Sequence, residues 1–246
     1  MSSLASIRAQ VEERLSGRVT APFAARIPTQ QPVLATGIPA IDAIMGGVPC
    51  AEITEIVGTR WCSAGRKSLQ SQLLARTTKH QFCALVDATD SFDPKSARAA
   101  GVDLRRLLWI RCSGQGMKAT EQAFKSADLL LQGSGGFGLL ALDLGGVSEK
   151  FVRRVPLSTW FRFRAVVEKL SAPLVVMTPY PVVGTCSGLT VNLSGAQIRW
   201  SRPSTVGPAH ARLALGIDFD VQVASRRSFK KPSQSIRSFS AERQWA

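Results

Sequence analysis

The sequence predicts an α/β fold: a mostly parallel central sheet flanked by helices, with antiparallel strands at the C-terminal edge. Three observations carry that expectation. From Thr36 onward, short continuous apolar runs alternate with stretches of helical spacing. Such runs suit strands buried on both faces, the condition of a parallel sheet covered by helices. After Leu189 the helical spacing stops while strand-like runs continue. With 246 residues, 45% hydrophobic and 20% charged, the chain is long enough and apolar enough to bury a core without disulfide staples.

Taken in order, Leu4, Ile7, Val11 and Leu15 have helical spacing and Gly17 stands where a C-cap belongs. The following VTAPFAARIPTQQPV is rich in Pro and Thr and reads as an extended arm. Residues 1–32 are therefore an N-terminal helix and arm, 33–224 the core, and 225–246 a basic tail. Strands are predicted over 53–57, over 82–86 running into Asp87, over 107–110, over 139–142 running into Asp143, and over 174–177. Helices are predicted over 68–79, with Leu69, Leu73 and Leu74 on one face, and over 118–132, packing Phe124, Ala127 and Leu131. Pro94 opens a short helix. Ser158 is expected to cap another, with Trp160, Phe163, Val167 and Leu170 inward. LTVNL, AQIRW and IDFDVQV read as antiparallel strands.

The net charge is +14, from 31 Lys and Arg against 17 Asp and Glu. Such an excess attracts polyanions, nucleic acid above all. The tail SRRSFKKPSQSIRSFSAERQWA carries five of those fourteen net charges. Its few apolar side chains cannot build a core, so it reads as disordered on its own and as the segment that meets DNA or an acidic partner. Arg226, Arg227, Lys230, Lys231, Arg237 and Trp245 are its candidate contact residues. Arg153, Arg154, Arg162, Arg164 and Lys169 form a second basic group, readable equally as a solvated helix face. No apolar run approaches the ~20 residues of a membrane span. The N-terminal stretch carries two glutamates and no apolar signal region, so a cytoplasmic protein is expected. Five scattered cysteines and two histidines give no metal-site spacing and read as reduced thiols.

One stretch has the context of a phosphate-binding loop: EIVG, then TRWCSA, then GRKSLQSQLLA. Strand, Gly-bounded loop and helix follow one another, so that backbone N–H groups and a helix N-terminus could face one anion. The spacing departs from GxxxxGK[ST], because six residues separate Gly58 from Gly65. In one register Arg66 takes the place of the lysine and Lys67 that of the Mg²⁺-binding hydroxyl. In the other, Lys67 and Ser68 take those places and Arg66 is looped out. Both readings stay open. Arginine is no conservative replacement at a point-charge site, and Trp61 makes the loop bulky. Asp143, ending an apolar strand, is placed like an aspartate that holds Mg²⁺. Asp87, Asp90 and Asp93 are the carboxylates available as a base. Gly58, Gly65, Arg66, Lys67, Ser68 and Asp143 thus outline a degenerate nucleotide site with no assigned catalytic residue and no metal site. No resident cofactor is expected. ATP with Mg²⁺ is what the loop would take if it takes one.

Two further stretches resemble a known family. TGIPAIDAIMGGVPCAEITEIVG is similar to the start of the RecA core, and VDATDSFDPKSARAAGVDLRRLLWIRC to the RecA segment that follows. The closer likeness is to the RecA-like ImuA proteins of bacterial mutagenesis cassettes, in the GR[TS]S-type loop, the LLWIRC strand and PLSTWFRFRAVVE. The likeness runs over roughly 33–183. It implies a RecA-like phosphate-loop core. It places Thr89 where RecA has its catalytic glutamate, and it implies an adaptor rather than an efficient enzyme, serving damage-induced (SOS) mutagenic translesion synthesis. The implied partners are ImuB, a catalytically inactive Y-family-like protein, then indirectly an error-prone polymerase, and RecA. Related recombinases dock an aromatic of the arm on the next subunit, which makes Phe23 a candidate partner anchor. The stiff, uncharged TPYPVVGTCSG stands where RecA has a long mobile DNA loop, so an active recombination filament is not expected. The rival readings are a DNA-dependent ATPase or RecA paralogue in recombinational repair, and a SulA-type cell-division inhibitor.

Two lures fall to their context. GTCSG has the form of a nucleophile elbow, but His210 precedes Asp218 and Asp220, the wrong chain order for a hydrolase triad. GSGGFG follows a helix and precedes a strand, the reverse of a dinucleotide fingerprint.

Overall fold

A computed structural model describes residues 32–58, 63–133, 136–201, 212, 214–226 and 237–242. Phe23, Trp61, Arg227, Lys230, Lys231 and Trp245 lie outside the described residues.

The predicted α/β architecture is present. An eight-stranded sheet has the order β10-β9-β8-β3-β7-β6-β4-β5. Its strands are β3 (Ile53–Gly58), β4 (Phe82–Asp87), β5 (Leu107–Arg111), β6 (Phe137–Asp143), β7 (Leu174–Thr178), β8 (Leu189–Trp200), β9 (Ala214–Arg226) and β10 (Arg237–Glu242). The six strands from β8 to β5 are mutually parallel, and β9 and β10 add antiparallel ladders. A separate two-stranded sheet joins β1 (Val33–Leu34) to β2 (Val48–Pro49). The helices are α1 (Pro39–Met45), α2 (Ser63–Thr78), α3 (Pro94–Ala99), α4 (Met117–Gln132), α5 (Glu149–Val152) and α6 (Leu157–Val167).

The central strands β4, β6 and β7 are largely apolar because both of their faces are covered. Leu85, Ala141, Val175 and Met177 point to one face and meet Leu69, Leu73 and Leu74 of α2 with Ile41 and Met45 of α1. Their neighbours Ala84, Val86, Leu140, Leu142 and Val176 point to the other and meet α4 and α6. On that second face three aromatics lock the helices together. Phe124 lies edge-on to Trp160 at 5.1 Å and stacks on Phe163 at 5.9 Å.

Several boundaries differ from the sequence expectation, for physical reasons. α2 begins at Ser63, five residues early. Gly65 sits inside its first turn, where a Cβ would stand 3.3 Å from the Phe219 ring of β9, so the missing side chain lets helix and sheet close up. α6 starts at Leu157 behind an extended Pro156, and Ser158 caps nothing. Leu170 lies past the helix end and only half-buries against the same cluster. LTVNL and AQIRW are one strand, not two. Its ladder with β9 slips between Ser194 and Gln197, at Gly195 with φ +66°. The LTVNL end of that strand also runs parallel to β3 rather than antiparallel. In the tail expected to be disordered, Ser225 and Arg226 belong to β9, and Arg237–Glu242 pairs with it as β10.

The TGxxxxD run at the start of the core has a local purpose. The Asp42 carboxylate accepts hydrogen bonds from Thr36 N (2.8 Å), Thr36 Oγ1 (2.9 Å) and Gly37 N (3.2 Å), clasping the chain just before α1. A buried carboxylate braces the segment after β7. Glu55 Oε1 accepts from Val182 N at 2.6 Å and Val183 N at 3.1 Å. The Tyr180 hydroxyl donates to Val147 O at 2.7 Å.

Two outcomes follow for stability. Phe163→Ala should cost about 3–5 kcal/mol in urea unfolding, because a fully buried ring would leave a cavity between α4 and α6. Burial also raises the Glu55 pKa above the ordinary glutamate range, against the lowering effect of its backbone donors. A raised folded-state pKa means that stability is fullest below the unfolded value and declines as pH rises through the folded one. Wild type should therefore lose stability across that interval. Glu55→Gln, whose amide oxygen can still accept, should show a flatter profile in parallel urea titrations.

Candidate functional site

Parallel strands present their C-terminal ends along one edge, and the sheet order turns back on either side of β3, the place where such sheets hold ligands. Register fixes what meets there. Asp87 of β4 is level with Asp143 of β6, Asp143 is level with Met177 of β7, and Met177 is level with Ile56 of β3. Gly58, Asp143 and Asp87 thus share one rim, and the first turns of α2 project over it.

Arg66, only 3% exposed, turns inward. Its Nη1 donates to Gly58 O at 2.6 Å and its Nη2 to Gly145 O at 3.3 Å. The planar guanidinium therefore ties the end of β3 to the turn after β6. Both glycines fit that fork. A Cβ on Gly58 would stand 3.0 Å from Arg66 Cγ, and one on Gly145 would stand 2.7 Å from Nη2.

Lys67 lies one residue on and faces a different partner. Its ammonium forms an ion pair with Asp143 Oδ2 and a 2.8 Å hydrogen bond to Ser91 Oγ. Gln70 Nε2 donates to the same Oδ2 at 3.2 Å, and Gly145 N donates to Oδ1 at 2.9 Å. Asp143 is 2% exposed, so a lone carboxylate there would be costly, and three donors compensate it. Ser68 is half-buried on the same helix.

The three carboxylates between β4 and α3 are also engaged. Asp87, wholly buried, accepts from Phe92 N at 2.8 Å and Thr89 N at 3.3 Å. Asp90 pairs with Arg111, whose hydrogen bond holds the carboxyl below the usual aspartate range. Asp93 caps α3, and the Ser96 hydroxyl, then the Lys95 and Ser96 amides, lower its pKa. A base works best with a pKa near the working pH, and these shifts run the other way. Thr89 carries no carboxylate, and its hydroxyl bonds Ser91 at 3.3 Å.

Among the described residues, which leave out 59–62 of the loop, this arrangement does not present a Mg²⁺–triphosphate with the separate cation and carboxylate it needs. The cation that would meet phosphate is neutralised by the aspartate that would hold the metal. The arginine in the preceding position is bonded to main-chain carbonyls. Of the two sequence registers, the structure keeps Arg66 within α2 rather than looped out, and it turns Lys67 toward Asp143.

The family model for the RecA N-terminal domain matches residues 8–147, which is more than half of the chain and takes in both Lys67 and Asp143. The chain belongs to the RecA family. Among similar proteins are the RecA of Chlorobaculum tepidum, 34% identical over 114 residues, of Paramagnetospirillum magneticum, 36% over 114, and of Rhizobium rhizogenes, 37% over 113. Each match covers 45% of this chain and only 29–31% of the relative, so the likeness spans about a third of those proteins.

Within this RecA-family core, sequence reasoning brought together Gly58, Arg66, Lys67 and Asp143 but missed Gln70, Ser91 and Gly145. Gln70 had a signal, being three residues after Lys67 on one helical face. Ser91 and Gly145 come from other loops and had none. The basic residues outside the rim are placed differently. Arg226 donates to Met45 O at the end of α1. Arg237 opens β10. Arg153, Arg162 and Arg164 pair with Glu149, Asp128 and Glu168. No helix among the described residues is long and apolar enough to cross a membrane.

Arg66→Lys should lower stability by about 1–3 kcal/mol, since one ammonium cannot bridge two buried carbonyls as the fork does. Midpoints of urea unfolding compare the two. A change within error would show that the bridge contributes nothing.

Proposed function

We propose that this chain is a RecA-fold adaptor of damage-inducible mutagenic translesion DNA synthesis, of the ImuA type, which recruits an ImuB-type Y-family-like protein and through it an error-prone polymerase. One observation carries the reading. The Lys67–Asp143 pair, with Gln70 and the Arg66 bridge, fills with internal contacts the rim where a working motor would grip Mg²⁺ and triphosphate. A scaffold of this kind keeps the sheet and its helices while hydrolysis is dispensable. The likeness of the GRKS loop, LLWIRC and PLSTWFRFRAVVE to ImuA proteins supports the particular pathway, and the basic tail supports contact with DNA or with RecA.

Two measurements on the full-length protein test this. Phosphate release should stay at the blank level with and without single-stranded DNA. Capture of the ImuB-type protein should be unaffected by nucleotide and by Lys67→Gln, which keeps a donor toward Asp143. Brisk turnover that Lys67→Gln abolishes would overturn the reading in favour of a DNA-dependent ATPase. A chain that never captures the ImuB-type protein would overturn the adaptor role.

A further inference from the structure

The connection from α5 to α6 and the segment after β7 enclose a groove of about 420 Å³. Its size lies within the ~300–1,000 Å³ of ordinary ligand pockets. Val152, Val155 and Trp160 belong to one wall, Pro181 and Val182 to the other, and Arg153 and Arg154 line it as well. The apolar surface continues outward along α6. Leu157 at the lip and Phe161 one turn on are about half exposed, at 54% and 47%.

We propose that this groove docks a short acidic peptide segment with apolar anchors, supplied by a partner protein. Charge complementarity selects the acidic character. Residues 149–170 carry six basic and two acidic side chains, and both acids are already paired, Glu149 with Arg153 and Glu168 with Arg164. Arg154 is exposed and has no ion-pair partner among the described residues. The apolar lining selects a protein chain over nucleic acid. Single-strand binding relies on exposed aromatic faces that stack bases, and the groove lining itself offers none. Trp160, the indole of the groove, is 2% exposed and held edge-on against Phe124 and Phe163. Leucine or phenylalanine side chains of a peptide would instead extend the hydrophobic cluster that Trp160 closes.

The walls are set before anything binds. Tyr180 is tied to Val147 O, and the Val182 and Val183 amides are tied to the buried Glu55 carboxylate. On the other side, Pro156 fixes the turn into α6, with Val155 N bonded to Val152 O and Thr159 N to Pro156 O. A rigid groove loses little entropy on binding, and this favours a short linear segment.

The inference rests on the adaptor reading for the need of a protein partner, not for the chemistry of the groove. The probe is a fluorescein-labelled peptide of sequence Glu-Asp-Leu-Phe-Asp-Leu, titrated with the full-length protein and followed by anisotropy. Its lysine-for-acid counterpart and a labelled single-stranded oligonucleotide are run alongside. The acidic peptide should bind and the basic one should not. Arg154→Glu and Leu157→Ser, both at exposed positions, should each weaken binding about tenfold, as loss of an interface anchor does, with unchanged melting temperature. Oligonucleotide binding should not follow those variants. Peptide binding indifferent to both variants, or absent, would overturn the proposal, and so would loss of oligonucleotide binding alone in Arg154→Glu. Capture of the ImuB-type protein by the same variants separates the two ideas. Full capture by both variants would leave the adaptor standing and remove the groove. Peptide binding by a chain that captures no such protein would keep the groove and remove the adaptor.

Discussion

A buried guanidinium joins two loops at the C-terminal rim of the sheet, and the rest of the site is arranged around it. Arg66 reaches from α2 to the carbonyls of Gly58, at the end of β3, and of Gly145, in the turn after β6, two strands that β7 separates. Five donors in a fixed plane suit that span, whereas a lysine would reach one carbonyl at a time. With Arg66 inward, the next cation along the helix, Lys67, falls over Asp143 and neutralises it. The two residues that the sequence places as phosphate cation and metal aspartate are thereby partners of each other in this structure. Those contacts satisfy a carboxylate that would be costly to bury alone.

The sheet is widened on the side away from that rim's acids. β9 packs Phe219 against the gap left by Gly65, and Arg226 at its end donates to the last turn of α1. These contacts tie the antiparallel extension to both helices of one face. The first turn of α2 is therefore held from above by Phe219 and from below by Gly58 and Gly145, a clamp built from hydrophobic contact on one side and hydrogen bonds on the other.

Much of this was legible in the sequence because strand burial and helical spacing are local signals. The apolar runs ending at Asp87 and Asp143 gave their strands to within a few residues, and Phe124, Trp160 and Phe163 gave the helix faces of the core. The start of α2 was not legible, because a helix containing Gly65 in its first turn makes sense only once Phe219, far along the chain, is beside it. The two strand pieces after Leu189 looked separate because a bulge at Gly195 breaks their alternation without ending the strand. At the rim, the residue types were legible and the partners were not. Nothing in GRKS says that the arginine will seek main-chain oxygens and the lysine an aspartate from a strand two positions away in the sheet.

The rim and the groove are linked through one short turn. Asp143 and Gly145 belong to the rim, while Val147, two residues past Gly145, supplies the carbonyl that holds Tyr180, the neighbour of the groove residue Pro181. Val147 N is bonded to Leu144 O, so the turn is a single hydrogen-bonded unit. In a motor, a metal and phosphate at this place would set such a turn only while bound. Here Arg66, Lys67 and Gln70 hold it through internal contacts, and Glu55 braces the other side of the same wall from within β3. On the proposed reading, a docking surface supported in this way would not depend on bound nucleotide. That is the physical advantage the proposed scaffold would gain from cations turned inward.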